Sequence, residues 1–262
     1  MALTSKTPAN TYKDLLTIEN SNNGVDSTLK NIRTGNGSNT SATISDRALA
    51  VKSATNNTTA FDVQNASGTS RLLVDTTNDK VKALGNYVNT QYAYFGISGG
   101  INSSWTNNTH YPVSFAGNNH SVGLQDNLTF GTGTDPLTAF TTADGTNTDA
   151  SLLVPFMWYV PDSISIDNVY SLEGMTTSSA NVTRMHLYSF DFTSGSTSAL
   201  TSGTTLAHNT DVTNAGSEQA YLSSLTVDSA TVTSGKVIVA TFRQDGTNAD
   251  YSVNITVKYH LT

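Results

Sequence analysis

Any chemistry in this chain has to come from histidine, carboxylate, hydroxyl or amide groups. The sequence contains no cysteine, so neither a disulfide framework nor a thiolate metal site is possible. The five histidines are His110, His120, His186, His208 and His260. No two stand four apart, as in a helical zinc motif, and no His-Glu pair accompanies them. His186 and His260 fall in strand-like runs and read as side chains on sheet faces. The chain has no Gly-x-Ser-x-Gly elbow and no glycine-rich phosphate loop with its lysine.

One local repeat could hold a cation. Asp144-Gly145-Thr146-Asn147-Thr148-Asp149 and Asp245-Gly246-Thr247-Asn248-Ala249-Asp250 are nearly the same hexapeptide, each just ahead of an apolar segment. Carboxylate and amide oxygens at alternate positions suit calcium, which makes Asp144, Asp149, Asp245 and Asp250 candidate ligands. Asp-Gly is also a favoured hairpin pair, and neither copy has the downstream glutamate of an EF-hand. The turn reading is the one adopted, with no metal or other cofactor expected. A pair of acids for glycoside hydrolysis needs no local motif. The carboxylates beyond residue 90 fall mostly in turn-like sequence and read as solvated, so no catalytic residue is assigned.

Two aromatic features stand apart. Pro155-Phe156-Met157-Trp158-Tyr159-Val160-Pro161 is apolar on both strand faces, which predicts a strand buried on both sides or lying in a subunit interface. Trp105 sits in the polar stretch Asn102–Asn108. A loop tryptophan stacks on a sugar or anchors a protein contact in the functional reading, and covers the core edge in the structural one.

The elements that would position these residues are strands. Charged residues make up 13% of the 262 residues, about half the usual share. A net charge of −7 with no basic cluster argues against a nucleic-acid surface. The longest apolar run, 152–160, is far short of the roughly 20 residues that span a bilayer, so no membrane insertion is expected. The opening residues 1–6 lack the apolar stretch of a signal peptide.

The fold class expected is all-β, in three parts. Residues 1–35 read as an extended docking arm. Tyr12, Leu15 and Leu16 there have the spacing of one helical face, while Leu16 with Ile18 could equally start a strand. Residues 36–90 read as a meander of short strands that serves as a stalk. It contains no Trp and no Pro, and each strand offers one or two apolar side chains. Such a meander needs partners, most simply copies of itself. Phe61, Val63, Leu72, Leu73 and Val74 are the expected core of a homotrimer. Residues 91–262 carry both tryptophans and most of the aromatic residues. They read as an antiparallel, jelly-roll-like sandwich of about nine strands, with candidates at 92–97, 111–115, 121–124, 152–160, 163–172, 182–192, 218–227, 236–243 and 251–261.

Two stretches carry a family resemblance. Thr7-Pro8-Ala9-Asn10-Thr11-Tyr12-Lys13-Asp14-Leu15-Leu16, followed by Asn20-Ser21-Asn22-Asn23-Gly24-Val25-Asp26, resembles the start of structural proteins from marine tailed bacteriophages. Phe61-Asp62-Val63-Gln64-Asn65-Ala66-Ser67-Gly68-Thr69-Ser70-Arg71-Leu72-Leu73-Val74-Asp75-Thr76 looks like the short β-repeats of phage fibres. Together they cover about the first third of the chain. The resemblance implies a non-enzymatic virion appendage, a tail fibre or similar, assembled in the bacterial cytoplasm. Tyr12, Leu15, Leu16 and Ile18 would dock on other virion proteins (tail, adaptor or major capsid protein). The C-terminal domain would meet a host-surface glycan or protein, with Trp105 as a contact. The chain lacks the long heptad or collagen-like shaft of a complete tail fibre. A head fibre or capsid decoration (cement) protein is the alternative, and a glycan-degrading tip a further one.

Overall fold

The computed structural model describes residues 15–21, 23–97, 107–116, 128–134, 141–142, 150–175, 181–195, 200–216, 218–245 and 251–262. The fold is all-β. The chain divides into two compact units, Met1–Val88 and Asn89–Thr262.

The first unit holds two four-stranded antiparallel meanders. One is β1 (Thr17–Ile18), β2 (Lys30–Arg33), β3 (Asn39–Ile44) and β4 (Leu49–Val51); the other is β5 (Phe61–Gln64), β6 (Ser70–Asp75), β7 (Lys80–Ala83) and β8 (Asn86–Tyr87). The boundary expected at residue 35 falls inside the first sheet, in the turn between β2 and β3, so 17–35 share a sheet with 36–51. Three consecutive strands of each sheet share one spacing. The starts of β2, β3 and β4 at Lys30, Asn39 and Leu49 recur 31 residues later at Phe61, Ser70 and Lys80.

The turns that set this period match. The Thr34 N–H donates to the Ser38 carbonyl (2.9 Å) and the Gly37 N–H to that of Thr34 (2.8 Å). Asn65 and Gly68 make the same two bonds to Thr69 and Asn65, at 2.9 Å each. Gly37 (φ +87°) and Gly68 (φ +80°) take the left-handed step in each, which costs glycine least.

The second unit contains β9 (Thr90–Ile97), β10 (Thr109–Val113), β11 (Leu128–Thr129), β12 (Thr141–Thr142), β13 (Met157–Tyr159), β14 (Ile164–Met175), β15 (Val182–Asp191), β16 (Thr201–His208), β17 (Val212–Thr213), β18 (Gln219–Val227), β19 (Thr231–Val232), β20 (Lys236–Asp245) and β21 (Tyr251–Leu261). Eight of these build two antiparallel sheets, in the orders β18-β14-β21-β9 and β10-β20-β15-β16. Numbered one to eight along the chain, the orders are 6-3-8-1 and 2-7-4-5. That is a jelly roll, two Greek keys wrapped into a sandwich. The two sheets are stitched at one end by Ala207 opposite Val227 and His208 opposite Thr226, and at the other by a bridge from Phe95 to Phe115.

Two apolar cores result. The first lies between the sheets and includes Phe95, Val113, Ile164, Val169, Met185, Leu187, Ile238, Phe242, Val253 and Val257. The second lies on the outer side of β15 and β20, where Phe130, Leu153, Phe156 and Leu200 cover Tyr188, Phe190, Val237 and Val239. Every residue from Thr183 to Phe190 and from Val237 to Gln244 is buried as a consequence. β14 and β21 instead alternate, one face in the core and the other toward solvent.

The strand expected over 152–160 is mostly a 3-10 helix, Ala150–Phe156, followed by three residues of β13 paired with β20. Pro155 lacks the N–H a ladder needs. The apolar run is double-sided because it caps the second core. β16 was absent from the sequence expectation; its Thr-Ser-Gly-Thr-Thr opening carries no apolar alternation. The candidate strand at 121–124 lies outside the described residues.

Candidate functional site

Registers in the first unit sort its side chains by face. In β5–β7, Phe61 stands opposite Val74 and Val74 opposite Val81, while Val63 stands opposite Leu72 and Leu72 opposite Ala83. These six residues form two apolar rows on one face. The other face carries Asp62, Leu73 and Lys82 in one row, with Tyr87 opposite Lys82. The Lys82 ammonium sits 4.8 Å from the Tyr87 ring centroid. Leu73, expected in the trimer core with Phe61, Val63, Leu72 and Val74, therefore points to the opposite side. Val81 and Ala83 join the apolar face instead.

The first meander is built likewise. Ile18 faces Ile32, Ile44 faces Leu49 and Ala42 faces Val51, with Lys30 opposite Ile44. Glu19 binds Arg33 and Asn31 on the other side. Of the expected docking residues, Ile18 belongs to this sheet face, Leu15 and Leu16 are exposed just before it, and Tyr12 lies outside the described residues. No hydrophobic side chain is buried among the described residues of this unit, and thirteen large ones are exposed. A single copy thus leaves both apolar faces in water.

The outer face of β18-β14-β21-β9 is the second exposed surface. Leu222, Leu172, Asn254 and Gly96 form one row across the four strands. Ser224, Tyr170, Thr256 and Tyr94 form the next, and Asn168, Lys258 and Tyr92 a third. Leu222 is 74% exposed, Leu172 53%, and Tyr92 and Tyr94 52% each. Lys258 is the one charge in these rows. The nearest carboxylate along β14, Asp167, meets His260 Nδ1 at 3.0 Å.

Polar groups are also sequestered at two interior points. Glu173, fully buried, projects from β14 between the sheets. It accepts hydrogen bonds from Ser171 (2.7 Å), Thr183, Asn209 Nδ2 (3.3 Å) and Ser223. Burial pushes its carboxyl above the usual range. On the other sheet, His110, Arg243 and Arg184 stand in one outward row. Asp211 Oδ1 accepts from Arg184 Nη1 and Arg243 Nη2 at 3.3 Å each. His110 Nε2 lies 2.9 Å from the Gly133 carbonyl, which fixes Nε2 as the donor. Burial, helped by nearby His186 and the two arginines, pushes this imidazole down to about 3.

Among the described residues, two further carboxylates of the second unit stand apart from these: Asp191 holds Lys236 at 2.6 Å and Asp228 holds His208 at 2.7 Å. Among the described residues no three His, Asp or Glu side chains cluster as a metal would require. Asp245 ends β20 opposite Val182. Trp105, His120, Asp144, Asp149 and Asp250 lie outside the described residues. Sequence reasoning missed the Tyr92, Tyr94, Tyr170, Leu172 and Leu222 face. Its only local signal was the alternation of β9, and the rest depends on the strand order. No family model and no curated protein matches the chain.

Proposed function

We propose that the chain is a non-enzymatic structural protein of a tailed-phage particle. In this reading it is a fibre-type appendage whose first unit is an associating stalk and whose jelly roll meets the host surface. The observation that carries the reading is the contrast between the units. The jelly roll encloses two apolar cores, whereas residues 15–88 bury no hydrophobic side chain and keep an apolar face on each of two sheets. A sheet whose apolar face packs against nothing gains little from the hydrophobic effect, and a face of aligned apolar rows is an aggregation hazard unless covered. Copies of the same chain cover it most directly, because each brings an equivalent face at equal stoichiometry. A homotrimer is the assembly proposed, with the segment before β1, including Leu15 and Leu16, docking on the particle. Asp191 is engaged by Lys236, Asp211 by two arginines and Glu173 by hydroxyls, which favours this over a glycan-degrading tip.

Gold-labelled antibody against residues 89–262 on intact particles tests the assignment. Label on tail or projecting fibres is expected. Label spread evenly over the capsid would favour a decoration protein or head fibre, and absence of label from particles would overturn the virion reading.

A further inference from the structure

The geometry points to a second contact between copies of this chain, made by the outer face of β18-β14-β21-β9. It rests on the association of the first unit proposed above. Leu222 and Leu172 are directly opposite on neighbouring strands, and Tyr170, Tyr94 and Tyr92 continue the exposed apolar surface across β21 to β9. Small residues level the end of the face: Ala220 stands opposite Gly174, and Gly174 opposite Ser252. Tyrosine-rich, charge-poor composition is that of a protein interface core rather than of ordinary surface.

Size decides between a free partner and a tethered copy. Four strands and three rows make a patch about 14 Å on a side, roughly 200 Å². A stable interface between free proteins needs about 800 Å² per partner, so this face alone would not hold one. Another copy is not free. β8 ends at Tyr87 and β9 begins at Thr90, so two residues link the associating unit to the jelly roll. Once the first units assemble, neighbouring jelly rolls are held at about millimolar effective concentration, where a small apolar patch suffices. In a closed three-fold ring the contact is heterologous, each face meeting a different surface of the next copy.

Hydroxyl-radical footprinting of the full chain tests this, with sedimentation velocity on the same sample. Tyr94 and Tyr159 are of one residue type and nearly equal exposure, 52% and 53%, and Tyr159 lies on β13 of the other sheet. In the assembled chain Tyr94, Tyr92 and Leu222 should be modified several-fold more slowly than their exposure predicts, with Tyr94 slower than Tyr159. In the Val74→Asp chain the two tyrosines should react alike. An assembled chain in which Tyr94 and Tyr159 react equally overturns the second contact and leaves the first intact. A chain that sediments as a monomer overturns both. Slowing of Tyr94 only on addition of a bacterial polysaccharide panel would instead make the face a glycan site and overturn the contact.

Discussion

Arg184 and Arg243 stand directly opposite one another in β15 and β20, both almost fully buried, and share a single oxygen of Asp211 at 3.3 Å each. Like charges opposite one another in a ladder repel, and Asp211 offsets that at the rim of the sheet. Arg243 also donates through Nη1 to Asn108 Oδ1 at 2.9 Å and to the Gly133 carbonyl at 3.3 Å. The arrangement ties the start of β10 and the stretch after β11 to the outer side of the sheet.

Asp211→Asn should therefore lower stability by about 1–3 kcal/mol. The lower end is favoured because Asp211 is partly in water and screened. The readout is a lower urea midpoint with an unchanged slope. The same replacement in an Arg184→Met background should cost less, since the repulsion it unmasks is gone. A cost identical in both backgrounds would remove Asp211 as the shared counter-ion.

Face assignment in the second meander predicts opposite outcomes for two neighbours. Val74→Asp places a charge between Phe61 and Val81 and should reduce the assembly to the 27.7 kDa chain. Leu73→Asp lies on the Lys82 side and should leave the assembly intact. Sedimentation velocity distinguishes them, and equal effects from both substitutions would refute the apolar face as the contact.

These two positions also show what the sequence could and could not disclose. The alternation of Tyr251, Val253, Ile255 and Val257 with Ser252, Asn254 and Thr256 stated its own burial, and the structure agrees. Leu72-Leu73-Val74 has no alternation, so its faces emerge only from the register with β5 and β7. The 31-residue period was hidden because just one residue, Gly37 and Gly68, is identical between the aligned β2–β4 and β5–β7 segments. The second core misled in the other direction. It makes β15, β20 and the run from Leu153 to Trp158 look alike in composition, although one part is helix and the others strand.

Glu173 gives a pH signature. Its carboxyl is raised above the unfolded value of 4.5, so the folded state holds the proton more tightly. Stability from this group is fully present below about pH 4.5 and is lost as pH rises toward the folded value. Glu173→Gln keeps the shape, and its amide can donate to the Thr183 and Ser223 hydroxyls, which rotate to accept. The variant should gain on the parent as pH rises from 5 to 8 in urea titrations. A difference that does not change with pH would show that the carboxyl is not held up by burial.

His110 has the opposite sign, and the two groups oppose each other in the intact protein. With the imidazole lowered to about 3 from 6.5, its contribution is fully present above about pH 6.5 and is lost as pH falls toward 3. The slope is at most about 1.4 kcal/mol per pH unit. His110→Gln retains a donor for the Gly133 carbonyl but cannot charge, so it should lose less stability than the parent between pH 6.5 and 4.5. At the same time the His110 ring carbons should show no NMR titration down to pH 5. A His110 resonance that titrates near pH 6.5 would mean that water reaches the imidazole, and that the row His110, Arg243, Arg184 is an open surface rather than a buried layer.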